Sequence, residues 1–152
     1  MTTLTNLALR VEPLRTGLSA LSHVLALAMR LYVANAFFLS GLTKLRDWDS
    51  TLFLFREEYH VPILPPEVAA VMGAGGELIL PVLLALGLAG RFGALGLTVV
   101  NIVAVISYPG IADAALKDHF TWAAMLLVIL FYGPGKLSLD ALIWPRLTGK
   151  KD

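Results

Sequence analysis

The sequence predicts an all-α integral membrane protein, an antiparallel bundle of four transmembrane helices with short interfacial segments. The mean hydropathy is +0.75 and 57% of the residues are hydrophobic, whereas soluble proteins contain about 45–50%. Charged residues make up only 15%. A soluble domain of 152 residues has too little interior to bury so much apolar surface. The lipid bilayer is therefore the expected solvent of this chain and its first partner.

Four segments are long and apolar enough to cross a bilayer, which takes about 20 residues. Their predicted bounds are 18–42, 67–89, 92–111 and 117–132. Only Gly90 and Arg91 separate the second from the third, which predicts a tight antiparallel hairpin. We divide the chain into an N-terminal leader (1–17), a transmembrane domain (18–142) and a cytoplasmic tail (143–152).

Two further segments are predicted to lie at the membrane surface. The connection between the first two spans contains residues 52–59, which mix aromatic and charged side chains and are too short to cross the membrane. Residues 137–144 are predicted to form a short helical turn that ends at Pro145.

Lys and Arg residues in short loops indicate the orientation, because they are enriched on the cytoplasmic side. One side holds Arg10, Arg15, Arg91, Lys136, Arg146, Lys150 and Lys151, and the other holds only Lys44, Arg46, Arg56 and Lys117. The sequence therefore predicts a multi-pass protein of the bacterial inner membrane with both termini in the cytoplasm.

Three polar residues are predicted at bilayer depth: Arg30, Glu77 and Asn101, each near the middle of a span. An isolated charge there costs about 2.5–3.5 kcal/mol. Because sequential antiparallel helices are neighbours, we expect Arg30 and Glu77 to pair and to lie level with Asn101. The pair is interpreted either as part of a ligand, quinone or proton site, or as a structural clasp that fixes helix register.

Secondary candidates flank these residues. Pro81 has no N–H to offer the carbonyl of Glu77, which loosens that turn. His23 is placed toward the cytoplasmic end, either as a proton relay or as an ordinary hydrogen-bonding residue. Lys44 lies about 21 Å from Arg30 by helical rise and is expected at the outer interface.

The composition excludes several kinds of chemistry. Cysteine is absent, so no thiolate catalysis and no thiol-ligated or covalently held cofactor is expected. Glu57 and His60 are spaced like metal ligands, but a site would need two more, so no metal is predicted. The net charge of +1 gives no reason to expect nucleic acid binding.

Several motifs, taken together in this order, resemble the DoxX family. They are Arg30, the segment 37–44 (FFLSGLTK), Pro62, Glu77-Leu78, Leu86-Gly87-Leu88 with Arg91, and the segment 133–140 (GPGKLSLD). The likeness covers roughly residues 25–142. It implies a four-helix bacterial inner-membrane protein linked to redox chemistry, similar to small subunits of quinone-reducing sulfur-oxidising complexes or to membrane anchors of antioxidant assemblies. Arg30, Lys44, Glu77 and Arg91 match the family's recurrent polar positions.

Three functions therefore stand as expectations. The first is an accessory subunit of a membrane redox system that either offers a quinone site or docks an electron-transfer partner. The second is a module that transports protons or a small solute, helped by homo-oligomerisation. The third is a non-catalytic assembly or docking protein that uses the loop at 46–66.

Overall fold

The computed structural model describes the backbone of residues 3–149 and the side chains of residues 11–149. Within that range the chain forms six helices and no strand: α1 (Thr3–Arg46), α2 (Trp48–Glu57), α3 (Pro66–Leu86), α4 (Gly90–Ser107), α5 (Asp113–Tyr132) and α6 (Leu139–Thr148). Four of them, α1, α3, α4 and α5, are long and apolar enough to cross a membrane. The predicted all-α fold with four spans is confirmed.

The four long helices pack in a ring. Helix α1 contacts α3 and α5, and α4 lies between α3 and α5. The core between them contains Val33, Phe37, Leu84, Leu97, Leu126 and Ile129. Many large apolar side chains instead face outward, including Leu31, Val71, Leu95 and Phe131. This distribution suits a protein whose outer surface is solvated by lipid.

The turn between α3 and α4 is tight, as predicted, but it lies at residues 87–89, since α3 ends at Leu86 and the predicted loop residues Gly90 and Arg91 belong to α4. Gly87 adopts a left-handed conformation (φ 63°), and the Leu88 N–H donates to the Leu83 carbonyl at 3.0 Å. These features close the helix in the way that glycine commonly does. Ala89 also has a positive φ of 48° and leads directly into α4.

Several predicted helix ends differ in the structure, among them the start of α5, which lies at Asp113 rather than at residue 117. Helix α1 begins at Thr3, well before the predicted start at Leu18, although its first buried residue is Ala26. Helix α4 ends at Ser107 because the residue before Pro109 is driven out of the helical region. Pro145 does not end α6, which continues to Thr148. The carbonyl that Pro145 leaves without a donor belongs to an exposed residue, Ala141, so solvent can satisfy it.

Helix α2 forms in the predicted connection and packs against the start of α3. Asp47 caps its N-terminus by accepting from the Ser50 N–H at 3.0 Å. Phe55 is buried, and it fills the space beside Gly73. We call the end of the bundle that carries α2 the α2 end, and the opposite end, with the turn at 87–89 and the loop at 133–138, the hairpin end.

Candidate intramembrane site

Glu77 forms a buried ion pair with Lys44. The Lys44 Nζ lies 2.6 Å from the Glu77 Oε2, and it also donates to the Ser40 Oγ at 3.0 Å. The side chains of Lys44 and Glu77 are only 18% and 9% exposed. Gly41 makes the pair geometrically possible, since a Cβ at this position would lie 2.9 Å from Leu78 Cγ. Helices α1 and α3 therefore approach each other closely beside the two charges.

The predicted pair of Arg30 and Glu77 is wrong. Gly41 packs against Glu77, and Arg30 precedes Gly41 by three turns of α1, which is about 16 Å of helical rise. The prediction took Arg30 as the centre of the first span, but the described side chains of α1 are buried only from Ala26 onward. The contact region is therefore centred closer to the α2 end. Lys44, which was expected at the outer interface, is the true partner of Glu77.

Arg30 lies at the hairpin end and is completely buried. Its Nη1 donates to the carbonyls of Leu84 at 3.4 Å and Ala85 at 3.1 Å, and its Nη2 donates to the carbonyl of Leu137. The first two are carbonyls of the last turn of α3, where the helix dipole is negative and cations are stabilised. The guanidinium thus joins α1, α3 and the loop before α6.

Gly87 is required by this arrangement. A Cβ at Gly87 would lie 2.3 Å from Arg30 Nη1 and 2.5 Å from the Ser138 Cβ, and the residue has a φ of +63°. Ser138 in turn caps α6 by accepting from the Ala141 N–H at 3.2 Å. Asp140 caps α4 by accepting from the N–H groups of Ala89 and Gly90, each at 2.8 Å. These contacts hold the hairpin end together through backbone groups.

Asn101 pairs with His119, a partnership that the sequence did not predict. Its Nδ2 donates to the His119 carbonyl at 3.0 Å, and His119 Nδ1 lies 2.7 Å from Asn101 Oδ1. Because Oδ1 can only accept, the hydrogen-bond network assigns a proton to Nδ1 of His119. Gly76 lies against Val100, so Asn101 on α4 is close to the level of Glu77 on α3.

We call Ser40, Lys44, Glu77, Asn101 and His119 together the polar layer. Aromatic rings pack on the side of the polar layer that faces the hairpin end. Trp122 makes edge contacts with His119 and Phe37, at ring-centroid distances of 5.0 and 5.3 Å. Its Nε1 is buried and finds no acceptor among the described residues. An indole N–H in this position is a donor that remains available to a ligand or a water molecule.

Two tyrosines lie toward the α2 end of the polar layer. Tyr59, in the loop after α2, contacts Phe55 and Tyr108 edge-on, at 5.0 and 5.3 Å between ring centroids. Burial raises the pKa of the Tyr59 hydroxyl, and Tyr108, Glu58 and Glu77 add to the effect. Tyr59 was predicted only as part of an interfacial segment, and its alternation of aromatic and charged neighbours was the available signal.

The remaining candidates lie outside the polar layer. His23 stands beside the loop at the hairpin end, where its Nδ1 lies 3.5 Å from the backbone N of Lys136. Arg91 is exposed and donates to the Phe131 carbonyl at 3.3 Å. Pro81 is buried within α3, one turn beyond Glu77, and leaves the Glu77 carbonyl without its usual helical donor.

Comparison with known proteins finds one matching family and a relative of similar length. The DoxX family model matches residues 25–109. An uncharacterized protein of Haemophilus influenzae is 34% identical over 131 residues, which cover 80% of this chain and 85% of that protein. No solved structure matches the chain. The family match spans more than half of the residues, and the four membrane-crossing helices agree with it. The chain belongs to the DoxX family of membrane proteins.

Proposed function

We propose that this protein is a small inner-membrane subunit of a quinone-linked redox system, and that the polar layer is its working site. Both termini lie in the cytoplasm in this proposal, as the distribution of Lys and Arg in the loops favours. A soluble or membrane-bound partner supplies the electrons, because the chain contains no cysteine that could exchange them.

The observation that carries the proposal is the ion pair of Lys44 and Glu77. Its two charges are largely removed from solvent and sit between helices that cross the membrane. A purely structural contact between α1 and α3 would be formed at lower cost by apolar side chains, because burying an ion pair loses two hydration shells. Ionisable groups retained at membrane depth generally mark ion, proton or ligand sites.

The chemistry of the polar layer suits quinone reduction. Conversion of a quinone to a quinol consumes two electrons and two protons, and the protons must reach its two oxygens inside the membrane. Lys44 carries exchangeable protons, and the Glu77 carboxylate can accept a proton and pass it on. Lys44 donates hydrogen bonds to both Glu77 and Ser40. The unpaired Nε1–H of Trp122 is a donor suited to a quinone oxygen.

The experiment measures the quinone that co-purifies with the protein and the rate of quinone reduction in native membranes that contain its partner. Glu77→Gln and Lys44→Gln remove the ion pair without a large change in side-chain volume. Since positioned proton-transfer groups contribute about 100-fold or more to a rate, we expect each variant to lower the reduction rate by about that factor.

The matched control is the exposed ion pair of Arg56 and Glu67, which also joins a basic side chain to a glutamate, at 2.7 Å. Arg56→Gln and Glu67→Gln should leave both readouts at the wild-type level. A Glu77→Gln variant that keeps its folded state, its quinone content and its reduction rate would contradict the proposal.

A non-catalytic anchor is the second candidate, and helix α2 favours it. Phe53 on this helix is 61% exposed, beside the exposed charges of Arg56 and Glu57. Such a surface suits contact with a protein. In that case a partner protein would co-purify with the wild type and with Glu77→Gln equally, and Phe53→Ser would release it.

A further inference from the structure

A groove of about 750 Å³ opens at the hairpin end, away from the polar layer. Its walls come from α1, the start of α4, the end of α5, the loop at 133–138 and α6. The side chains used below are His23, Arg91, Tyr132, Lys136 and Trp144. A second groove of about 430 Å³ adjoins it and shares His23 and Lys136.

The charges in this groove are positive and open to a ligand. Among the described side chains, neither Arg91 nor Lys136 forms an ion pair. The one acidic residue in the wall, Asp140, is already bound to two backbone N–H groups at the start of α4. The groove therefore presents two cationic side chains and an imidazole to a ligand. The Asp140 carboxylate is already hydrogen-bonded to the backbone.

Arg91 is held in position rather than free to swing. Its Nη2 donates to the Phe131 carbonyl, and its guanidinium lies over Gly133, where a Cβ would be 3.6 Å from Nη2. The other N–H groups of the Arg91 guanidinium remain available to donate to a ligand. A fixed guanidinium binds a phosphate through two parallel hydrogen bonds, whereas a lysine such as Lys136 contributes a mobile point charge.

The groove also continues into a surface that faces lipid. Tyr132 and Trp144 are 87% and 66% exposed, as aromatic side chains at a membrane boundary commonly are. From Phe92, in the groove wall, a stripe of exposed apolar residues runs along α4: Phe92, Leu95, Val99, Ile102 and Ile106. Their spacing of three and four residues places them on one helix face. A headgroup in the groove would thus have an apolar path for its acyl chains.

We propose that this groove binds the phosphate headgroup of an anionic membrane lipid. Arg91 and Lys136 contact the phosphate, His23 donates a hydrogen bond at its edge, and the acyl chains lie along the exposed face of α4. The continuity of the charged groove with that face favours a lipid over a free phosphate ion. Basic pockets of this kind at the cytoplasmic ends of membrane helices suit anionic headgroups.

The experiment measures lipid binding to the purified, detergent-solubilised protein by native mass spectrometry. The probes are phosphatidylglycerol, phosphatidylcholine and inorganic phosphate. We expect phosphatidylglycerol to bind more tightly than the other two. Each cation near the surface contributes about a fivefold change in affinity, so Arg91→Gln and Lys136→Gln should each weaken phosphatidylglycerol binding by about that factor, and the double variant by about 25-fold.

Two control variants separate this site from general charge attraction. Lys117→Gln removes an exposed cation near the α2 end of α5 and should not change the affinity. Arg91→Lys keeps the positive charge but removes the planar guanidinium. It should lose less affinity for phosphatidylglycerol than Arg91→Gln. Circular dichroism confirms that each variant is folded.

Three outcomes would overturn the proposal. The first is unchanged phosphatidylglycerol binding in a folded double variant. The second is an equal loss in Lys117→Gln, which would indicate only a general charge effect. The third is inorganic phosphate that binds as tightly as phosphatidylglycerol, which would make the groove a site for the free ion.

Discussion

Charged side chains are bound by different kinds of group at the hairpin end and in the polar layer. At the hairpin end, the Arg30 guanidinium donates to three backbone carbonyls, which cannot change their protonation. In the polar layer, Lys44 is bound to Glu77 and to the Ser40 hydroxyl, and every one of these side chains can exchange protons. The difference suggests that the first charge holds helices in place, whereas the second can take part in chemistry.

The largest expected effect is on stability at the hairpin end. Arg30→Met removes a donor from three carbonyls. The Leu84 carbonyl keeps the N–H of Gly87, whereas those of Ala85 and Leu137 lose the donor that the structure describes for them. A buried acceptor without a partner costs about 1–3 kcal/mol. We expect the free energy of unfolding in detergent to fall by about 3 kcal/mol or more. Arg91→Met, at an exposed arginine with one hydrogen bond, serves as the control and should change it by less than about 1 kcal/mol. Equal stabilities of the two variants would mean that the buried guanidinium does not hold the hairpin end together.

A smaller loss is expected for Gly87→Ala. The new Cβ would meet Arg30 Nη1 and Ser138, and the left-handed backbone adds a cost of about 1 kcal/mol or more for a non-glycine residue. Thermal unfolding in detergent should show a loss of about 2 kcal/mol, in the range of single substitutions at strained positions. Gly75→Ala, at a helical glycine with open space around it, is the control and should be neutral or stabilising. A stable Gly87→Ala would mean that Arg30 can move aside, and the hairpin end would then be less rigid than described.

The smallest stability effect is expected in the polar layer when both charges are removed together. Glu77→Gln alone leaves the Lys44 ammonium buried without its partner and should destabilise the protein by about 3 kcal/mol. Adding Lys44→Met removes that penalty, so the double variant should come within about 1 kcal/mol of the wild type. A double-mutant cycle on unfolding free energies measures this coupling. Additive losses would mean that the two side chains are not coupled in the folded protein, which would contradict the ion pair.

The number and type of the helices could be predicted from the sequence, since uninterrupted apolar length is a strong signal for membrane spans. The partners of the charges could not. Depth was inferred from the midpoint of each apolar segment, and this fails for α1, whose 44 residues extend far beyond the part that packs in the bundle. The prediction therefore placed Lys44 at the outer interface, whereas it lies in the polar layer beside Glu77.

Hydrogen bonds from side chains to backbone carbonyls also could not be predicted from the sequence. Arg30 binds carbonyls of Leu84, Ala85 and Leu137, and every residue type carries a carbonyl, so no sequence pattern marks them. Glu77 and Asn101 were identified as polar groups at membrane depth, but their partners were not: Lys44 was expected at the outer interface, and His119 was not singled out. Long side chains and helix register brought them inward.

The reach of Arg30 to Leu137 has a consequence for biosynthesis. The ribosome makes the chain from the N-terminus, so Arg30 enters the membrane with the first helix, long before Leu137 exists. Until the last tenth or so of the chain is made, one of the nitrogens of its guanidinium lacks its final acceptor. An unsatisfied charge in a partly made membrane protein is a feature that insertion and quality-control machinery can recognise. The same contact that holds the finished bundle together therefore also marks an unfinished one.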